Sequence, residues 1–271
     1  MTIRKKILYI LTAAIAILTA CMYSISALIQ TRQTDKIEVA AAEQNVNRAL
    51  AALNQQINVL DKTAMDYAGW DDTCAFVENL NSNYIDSNLS SETYANNRYT
   101  FMIFVNAARQ VVYSRAYDLE KAEEVAVDAE LMNVVAHSDL LKKHEDTKSG
   151  VKGILMLQAG PYLVASRPIL TSQYQGPIRG TLIIGRLLKQ EEIDELAEIT
   201  QLPLHITALN SLDLPDDVRN GLSQLSADQP VYIQVLSPSV SVGYGLVLDI
   251  FNQPTLIARV NIPRDYHLLL L

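Results

Sequence analysis

Reactive side chains are scarce in this sequence. Two cysteines and four histidines are all it offers in 271 residues. Cys21 falls inside an apolar run and Cys74 on an expected helix, so no disulfide joins them; Cys74 reads as a small buried hydrophobe. His137 and His144 lie seven apart on one expected helix, too far to share a metal unaided. Nucleophile-elbow, zinc-protease, phosphate-loop and kinase signatures are all missing. Gly176, Gly180 and Gly185 suit turns and close strand approach instead. No catalytic residue, metal or cofactor is therefore expected, and the chain does not read as an enzyme. Basic charge is short as well. A formal net charge of −8 with dispersed Lys and Arg disfavours nucleic acid and an anionic-lipid patch. The acidic stretch 118–130 lacks calcium-loop spacing and reads as a solvated loop and helix start.

Apolar length, in contrast, is present at once. Arg4, Lys5 and Lys6 precede an uncharged run over residues 7–31 with ten Ile and Leu residues. About 20 apolar residues cross a bilayer as a helix, and the basic cluster keeps its own end in the cytoplasm. Residues 1–31 thus read as a single-pass anchor in the cytoplasmic membrane, with the bulk of the chain extracytoplasmic. A second reading starts from Leu18-Thr19-Ala20-Cys21, which resembles a lipoprotein cleavage box. The apolar character continues beyond Cys21 to Ile29, which a spanning helix needs and a cleaved signal does not.

No Gly or Pro interrupts residues 31–68. Val46, Leu50, Leu53, Ile57, Leu60 and Ala64 follow steps of 4 and 3, a heptad seam. Residues 32–65 form a long helical stalk whose seam either pairs with a second copy, giving a homodimer, or packs on the chain's own domain. Asparagines 81, 83, 88, 96 and 97 then suggest turns and caps. Residues 99–105 and 111–117 read as a hairpin and 128–143 as one helix. Residues 150–158, 162–169 and 178–188 read as three strands, and 190–200 as a short helix. The order implies an α+β fold, a five-stranded antiparallel sheet with helices on one face, over residues 66–200. A smaller α+β lobe follows over 201–264: strand 204–208, helix 216–225, then strands near 231, at 242–250 and at 255–262.

The chain's only Trp lies in Asp66-Tyr67-Ala68-Gly69-Trp70-Asp71-Asp72, read as two helical turns with Asp66 and Trp70 on one face. Trp70 serves either as a plug between helix and sheet or, with Tyr67, as an aromatic wall beside a carboxylate that binds a cationic or amine-bearing ligand. Arg115 and Tyr117 share one strand face and are the candidates from the sheet, unless that face is simply solvated. The ligand-binding candidates are therefore Asp66, Tyr67, Trp70, Asp71, Arg115 and Tyr117.

These residues carry a family resemblance. The Asp66–Asp72 corner, Tyr84-Ile85 with Asn88-Leu89, Tyr117-Asp118, Arg167-Pro168-Ile169, Gly176-Pro177-Ile178-Arg179-Gly180-Thr181-Leu182 and Gly185-Arg186 resemble the fourth family of CHASE domains. These are sensory extracellular domains related to Cache and PAS-like sensors. The resemblance implies a PAS/Cache-like sheet, a small-molecule ligand, and an input role in a membrane receptor with a kinase or cyclase output. The chain departs from the family at Ala107-Ala108, where an Asp-Gly type turn is usual. Ile262-Pro263-Arg264 resembles the family's approach to a second membrane helix, so residues 265–271 read as the start of a truncated one. The alternative is a lipid- or membrane-anchored periplasmic binding protein that serves a separate partner.

Overall fold

The computed structural model describes residues 3–211, 213–237 and 239–264. Helix α1 (Ile3–Ala68) runs for 66 residues without a break, about 100 Å at 1.5 Å per residue. Among the described residues no helix is long and apolar enough to cross a membrane. The expected anchor over 7–31 includes positions 8–10, 27, 28, 30 and 31, whose side chains lie outside the described set. The expected segment 265–271 lies outside it altogether.

Along the inner face of α1 the buried residues are Ala42, Val46, Ala49, Leu53, Ile57, Leu60, Ala64 and Ala68. They belong to one core with the chain's own sheets. The heptad seam is thus occupied inside the chain and is not free to join a second copy.

Three short helices follow: α2 (Asp71–Asn79), α3 (Ser82–Asn88) and α4 (Ser91–Asn97). Two of them occupy the stretch read as turns. Asn81 accepts from the Tyr84 amide and Ser90 from the Thr93 amide, so the polar residues there cap helices. The larger sheet contains β1 (Phe101–Asn106), β2 (Val111–Asp118), β3 (Glu123–Val125), β4 (Val151–Leu157), β5 (Gly160–Ile169) and β6 (Gly180–Leu187). Its order is β3-β2-β1-β6-β5-β4. The β1–β2 turn needs no glycine: Arg109 takes the left-handed backbone (φ 62°), and Asn106 Oδ1 accepts from the Gln110 amide at 3.0 Å.

Two expectations are corrected here. The sheet has six strands, β3 being too short and acidic to register. It is also covered on both faces. Met102 and Phe104 turn toward α1, whereas Phe101, Ile103 and Val105 pack on Leu131, Val135 and Leu141 of α5 (Ala129–His137) and α6 (Asp139–Lys142). Those two helices replace the single one expected over 128–143. Ser138 adopts an extended backbone (φ −92°, ψ 107°) and caps α6.

Helix α7 (Gln190–Thr200) leads to the smaller lobe, made of β7 (Leu204–Ala208), α8 (Asp216–Leu222), β8 (Val231–Ser237), β9 (Val240–Leu248) and β10 (Pro254–Pro263). Its sheet has the order β7-β10-β9-β8. Helix α1 crosses this sheet closely because Gly243 and Gly245 lie beneath it: a Cβ at Gly243 would stand 2.3 Å from the Val46 side chain. Gly243→Val should cost about 1–3 kcal/mol of stability by overpacking, read as a lower urea midpoint. An unchanged midpoint would mean that α1 does not rest on β9.

Candidate functional site

Helix α1 ends at Ala68, and the corner after it is tight. The Gly69 amide donates to Met65 O at 3.0 Å. A Cβ on Gly69 would lie 2.6 Å from the Tyr174 ring, so a larger residue would displace that ring. Trp70 is the extended N-cap residue of α2 (φ −101°, ψ 138°). Asp66 and Trp70 are therefore not stacked on one helix face, which corrects the two-turn reading; the glycine breaks the helix between them. Trp70 instead stacks on Tyr67, ring centroids 4.4 Å apart at 29°. The Thr73 hydroxyl donates to Tyr67 O at 2.6 Å. Its one proton being used, Thr73 accepts from the Tyr84 hydroxyl at 2.7 Å.

The carboxylates play different parts. Asp71 accepts from the Ser172 amide at 3.0 Å and its hydroxyl at 2.6 Å, which holds it below the usual carboxylate range. It ties α2 to the β5–β6 loop and is not turned toward Trp70's partner, Tyr67. Asp66 is exposed.

From the sheet, Arg115 and Tyr117 do share a face, and Tyr94 of α4 lies over both. The Arg115 guanidinium carbon stands 5.6 Å from the Tyr94 ring centre, and the Tyr117 ring 6.0 Å from it. Arg115 also donates to Leu89 O and Ser91 Oγ and pairs with Glu124 at 2.8 Å. Tyr94 and Tyr99 are fully buried, with ring centroids 6.4 Å apart. Burial raises both phenols, Tyr99 to about 12, and the Tyr67 phenol adds to each shift. The structure thus gathers Arg115, Tyr117 and Tyr99 around Tyr94 and separately stacks Trp70 on Tyr67, leaves Asp66 at the surface and commits Asp71 to the loop.

Three buried polar atoms in this region have no hydrogen-bond partner, the Tyr94 hydroxyl and the Nε atoms of Arg115 and Arg186, and the Tyr99 hydroxyl has only the Thr63 side chain nearby, without good hydrogen-bond geometry. Buried donors are satisfied as a rule, so these are the unspent donors of the corner. Sequence reading did not place Tyr84, Tyr94, Tyr99 or Arg186 among the site candidates, although Tyr84 and Arg186 carry part of the family resemblance. The available signal was tyrosine density, with positions 84, 94, 99, 113 and 117 holding five of the chain's 13.

On the other side of Gly69 a cleft of about 370 Å³ is lined by Met65, Thr147, Lys148, Arg167, Pro168, Leu170 and Tyr174. That volume falls in the range of about 300–1,000 Å³ usual for ligand sites. Beneath it Arg167 grips Asp61 of α1 through Nε–Oδ1 and Nη2–Oδ2, both 2.5 Å, and Lys152 reaches the same carboxylate at 3.0 Å. Nothing here is a reactive nucleophile. Burial pushes the Cys74 thiol up, and His144 is held down to about 4 by burial and Arg167. Among the described residues no cluster of His, Cys, Asp and Glu could hold a metal.

Comparison with known proteins bears on this arrangement. The methanogenesis regulatory histidine kinase FilI of Methanothrix harundinacea (strain 6Ac) is 28% identical over 265 residues. The match takes in 98% of this chain but only 29% of that protein. The periplasmic domain of Vibrio cholerae LuxQ superposes with a TM-score of 0.51 at 12% identity, over 82% of this chain and 99% of that one. A Vibrio parahaemolyticus domain assigned to the sensory box/GGDEF family gives 0.51 at 11% identity, over 87% and 99%. These two likenesses establish the fold. The family model of the CHASE4 domain matches residues 52–207, from the last quarter of α1 to β7 and across the whole aromatic corner; spanning more than half of the sequence, this match places the chain in the CHASE4 domain family.

Proposed function

We propose that this chain is the extracytoplasmic input region of a membrane-bound receptor with a histidine-kinase type of output. The observation that carries the reading is the unbroken course of α1. Its inner part is held by both sheets, while Leu11, Ile15, Ile17, Leu18, Met22, Ile25 and Ile29 are exposed nearer its start. In that part Thr19 and Ser24 donate back to the carbonyls of Ile15 and Ala20 at 3.0 and 2.9 Å, so their hydroxyls need no water. Residues 7–31 then act as the membrane anchor. The helix runs past Cys21 without a break, which favours an uncleaved anchor over a lipid-modified binding protein.

In this reading a small molecule with an aromatic or cationic part and acceptor oxygens binds among Tyr67, Trp70, Arg115 and Tyr117, with Asp66 and Asp71 at the rim. A ligand shifts a two-state equilibrium only by its difference in affinity for the states. The corner meets that requirement because Tyr67 belongs to α1 itself. Homodimerisation through α1 would have to use its outer, polar face, since the seam is filled.

Orientation is tested with Glu92→Cys, at an exposed position of α4, in a Cys21→Ser, Cys74→Ser background. A membrane-impermeant maleimide should label it in intact spheroplasts; labelling only after lysis overturns the reading. The site is tested by thermal shift of the detergent-solubilised chain against amino acids, amines and carboxylates. A compound at 100 times its Kd adds about 2.7 kcal/mol of stability, and Trp70→Ala should abolish that shift.

A further inference from the structure

The cleft beside Gly69 combines apolar walls with positive charge. Met65 of α1 is 41% exposed and Tyr174 46% exposed, and Pro168 and Leu170 at the end of β5 complete the apolar lining. The two charged residues of the lining, Lys148 and Arg167, are both cations.

Neither cation is fully spent. Arg167 gives Nε and Nη2 to Asp61. Its Nη1 is left with Lys148 O at 3.5 Å, too long for a strong bond. That nitrogen lies over Gly150, where a Cβ would stand 2.6 Å from it. The glycine thus lets the guanidinium rest on the loop. Lys148 is exposed and makes no ion pair among the described residues. The carboxylates at hand are already engaged. Asp61 is matched by both Arg167 and Lys152, and Asp146 Oδ1 accepts from the Lys148 and Ser149 amides at 2.8 and 2.7 Å. Asp66 and Glu145, next in sequence to this group, are exposed, where water and salt screen them. Three cations therefore meet two occupied carboxylates, a local positive surplus in a chain of formal net charge −8.

The geometry points to a second ligand site in this cleft, for a small carboxylate with an apolar tail. The carboxylate sits between the Lys148 ammonium and Nη1 of Arg167, where charge-assisted hydrogen bonds are available. The tail lies among Met65, Pro168, Leu170 and Tyr174. A cationic ligand would meet like charges there, and a neutral one would leave both donors unpaired. The occupant touches α1 through Met65 and the corner through Tyr174, whose ring lies over Gly69. Two residues before that tyrosine, Ser172 is held by Asp71 of α2. The site is separate from the aromatic corner and needs no ligand there.

The test is equilibrium dialysis of radiolabelled hexanoate against the full chain in phosphatidylcholine nanodiscs, with empty discs as the reference. Hexanoate should bind saturably, one per chain, and unlabelled hexylamine should not displace it. Lengthening the tail to octanoate should tighten binding, by up to about fourfold for each CH2 buried. Lys148→Gln should weaken binding about two- to fivefold, the range of a solvent-exposed charge contact. Met65→Trp, which fills the cleft, should abolish it. Lys121→Gln, at a lysine whose side chain is 67% exposed outside the cleft, should leave it unchanged. The proposal is overturned if millimolar hexanoate shows no saturable binding, or if hexylamine displaces it as well as unlabelled hexanoate does. An unchanged affinity in Lys148→Gln, or binding that survives Met65→Trp, would place the hexanoate elsewhere and overturn it too. None of these results bears on the corner, so the two sites fail or stand separately.

Discussion

Asp61→Ala should lower the unfolding free energy by about 3 kcal/mol, the low end of the cost of leaving one member of a buried ion pair behind. The Asp61 side chain is 5% exposed and Arg167 16%, and the two form a bidentate pair joining the C-terminal part of α1 to β5. Lys152 is 44% exposed and adds little, because water screens such contacts. Equilibrium urea unfolding reads the loss directly; a change below 1 kcal/mol would mean that Arg167 finds another acceptor. The same pair sets a pH dependence. Burial pushes Asp61 upward, but the hydrogen bonds and charges of Arg167 and Lys152 outweigh it and hold the carboxyl below its ordinary value. A depressed acid stabilises the fold above its unfolded pKa of about 3.9, and the contribution is lost as pH falls through the folded value. The native chain should therefore lose stability more steeply below about pH 4 than Asp61→Ala does.

Phe76→Ala should cost about 3–5 kcal/mol, as other buried aromatic truncations do. The ring is fully buried, stacks on Tyr84 at 4.5 Å and meets Phe104 and Tyr113 edge-on at 5.0 and 5.4 Å. It is the main apolar tie between α2 and the sheet, so its loss should free α2 and α3 before the rest unfolds. Hydrogen exchange is the discriminating measurement: protection should fall first at the Cys74 and Tyr84 amides while the strand amides of β5 and β6 keep theirs. Uniform loss would show that the α2–α4 cap is not a separate unit.

Much of this fold could be read from residue pattern, and the failures have physical causes. The long helix followed from the absence of Gly and Pro and from the seam, and α7 and β7 from clean periodicity. The break at Ser138 was hidden because apolar residues continue through Leu140 and Leu141 at helical spacing, whereas only the serine's capping geometry ends α5. Burial of the larger sheet on both faces did have a sign: Phe101-Met102-Ile103-Phe104-Val105 is an unbroken apolar run, which a one-sided strand does not need. At the corner, Trp70 and Tyr67 stood out by type and Arg115 with Tyr117 by spacing. Tyr94 and Tyr99 did not, since a tyrosine among asparagines looks like surface until β2 and the end of α1 close over it. The bond from Asp71 to Ser172 joins residues 101 apart, and no local pattern reports such a contact.

The turn between β9 and β10 also touches the larger sheet. Ile154 of β4 bridges Asp249, the Ile250 amide donates to Ile154 O at 2.9 Å, and Gly153 makes room for the Ile250 side chain. The two lobes are thus joined on one flank by a contact that does not pass through α1. Hinging of one lobe against the other would have to break this contact, so it ties the two lobes into one block.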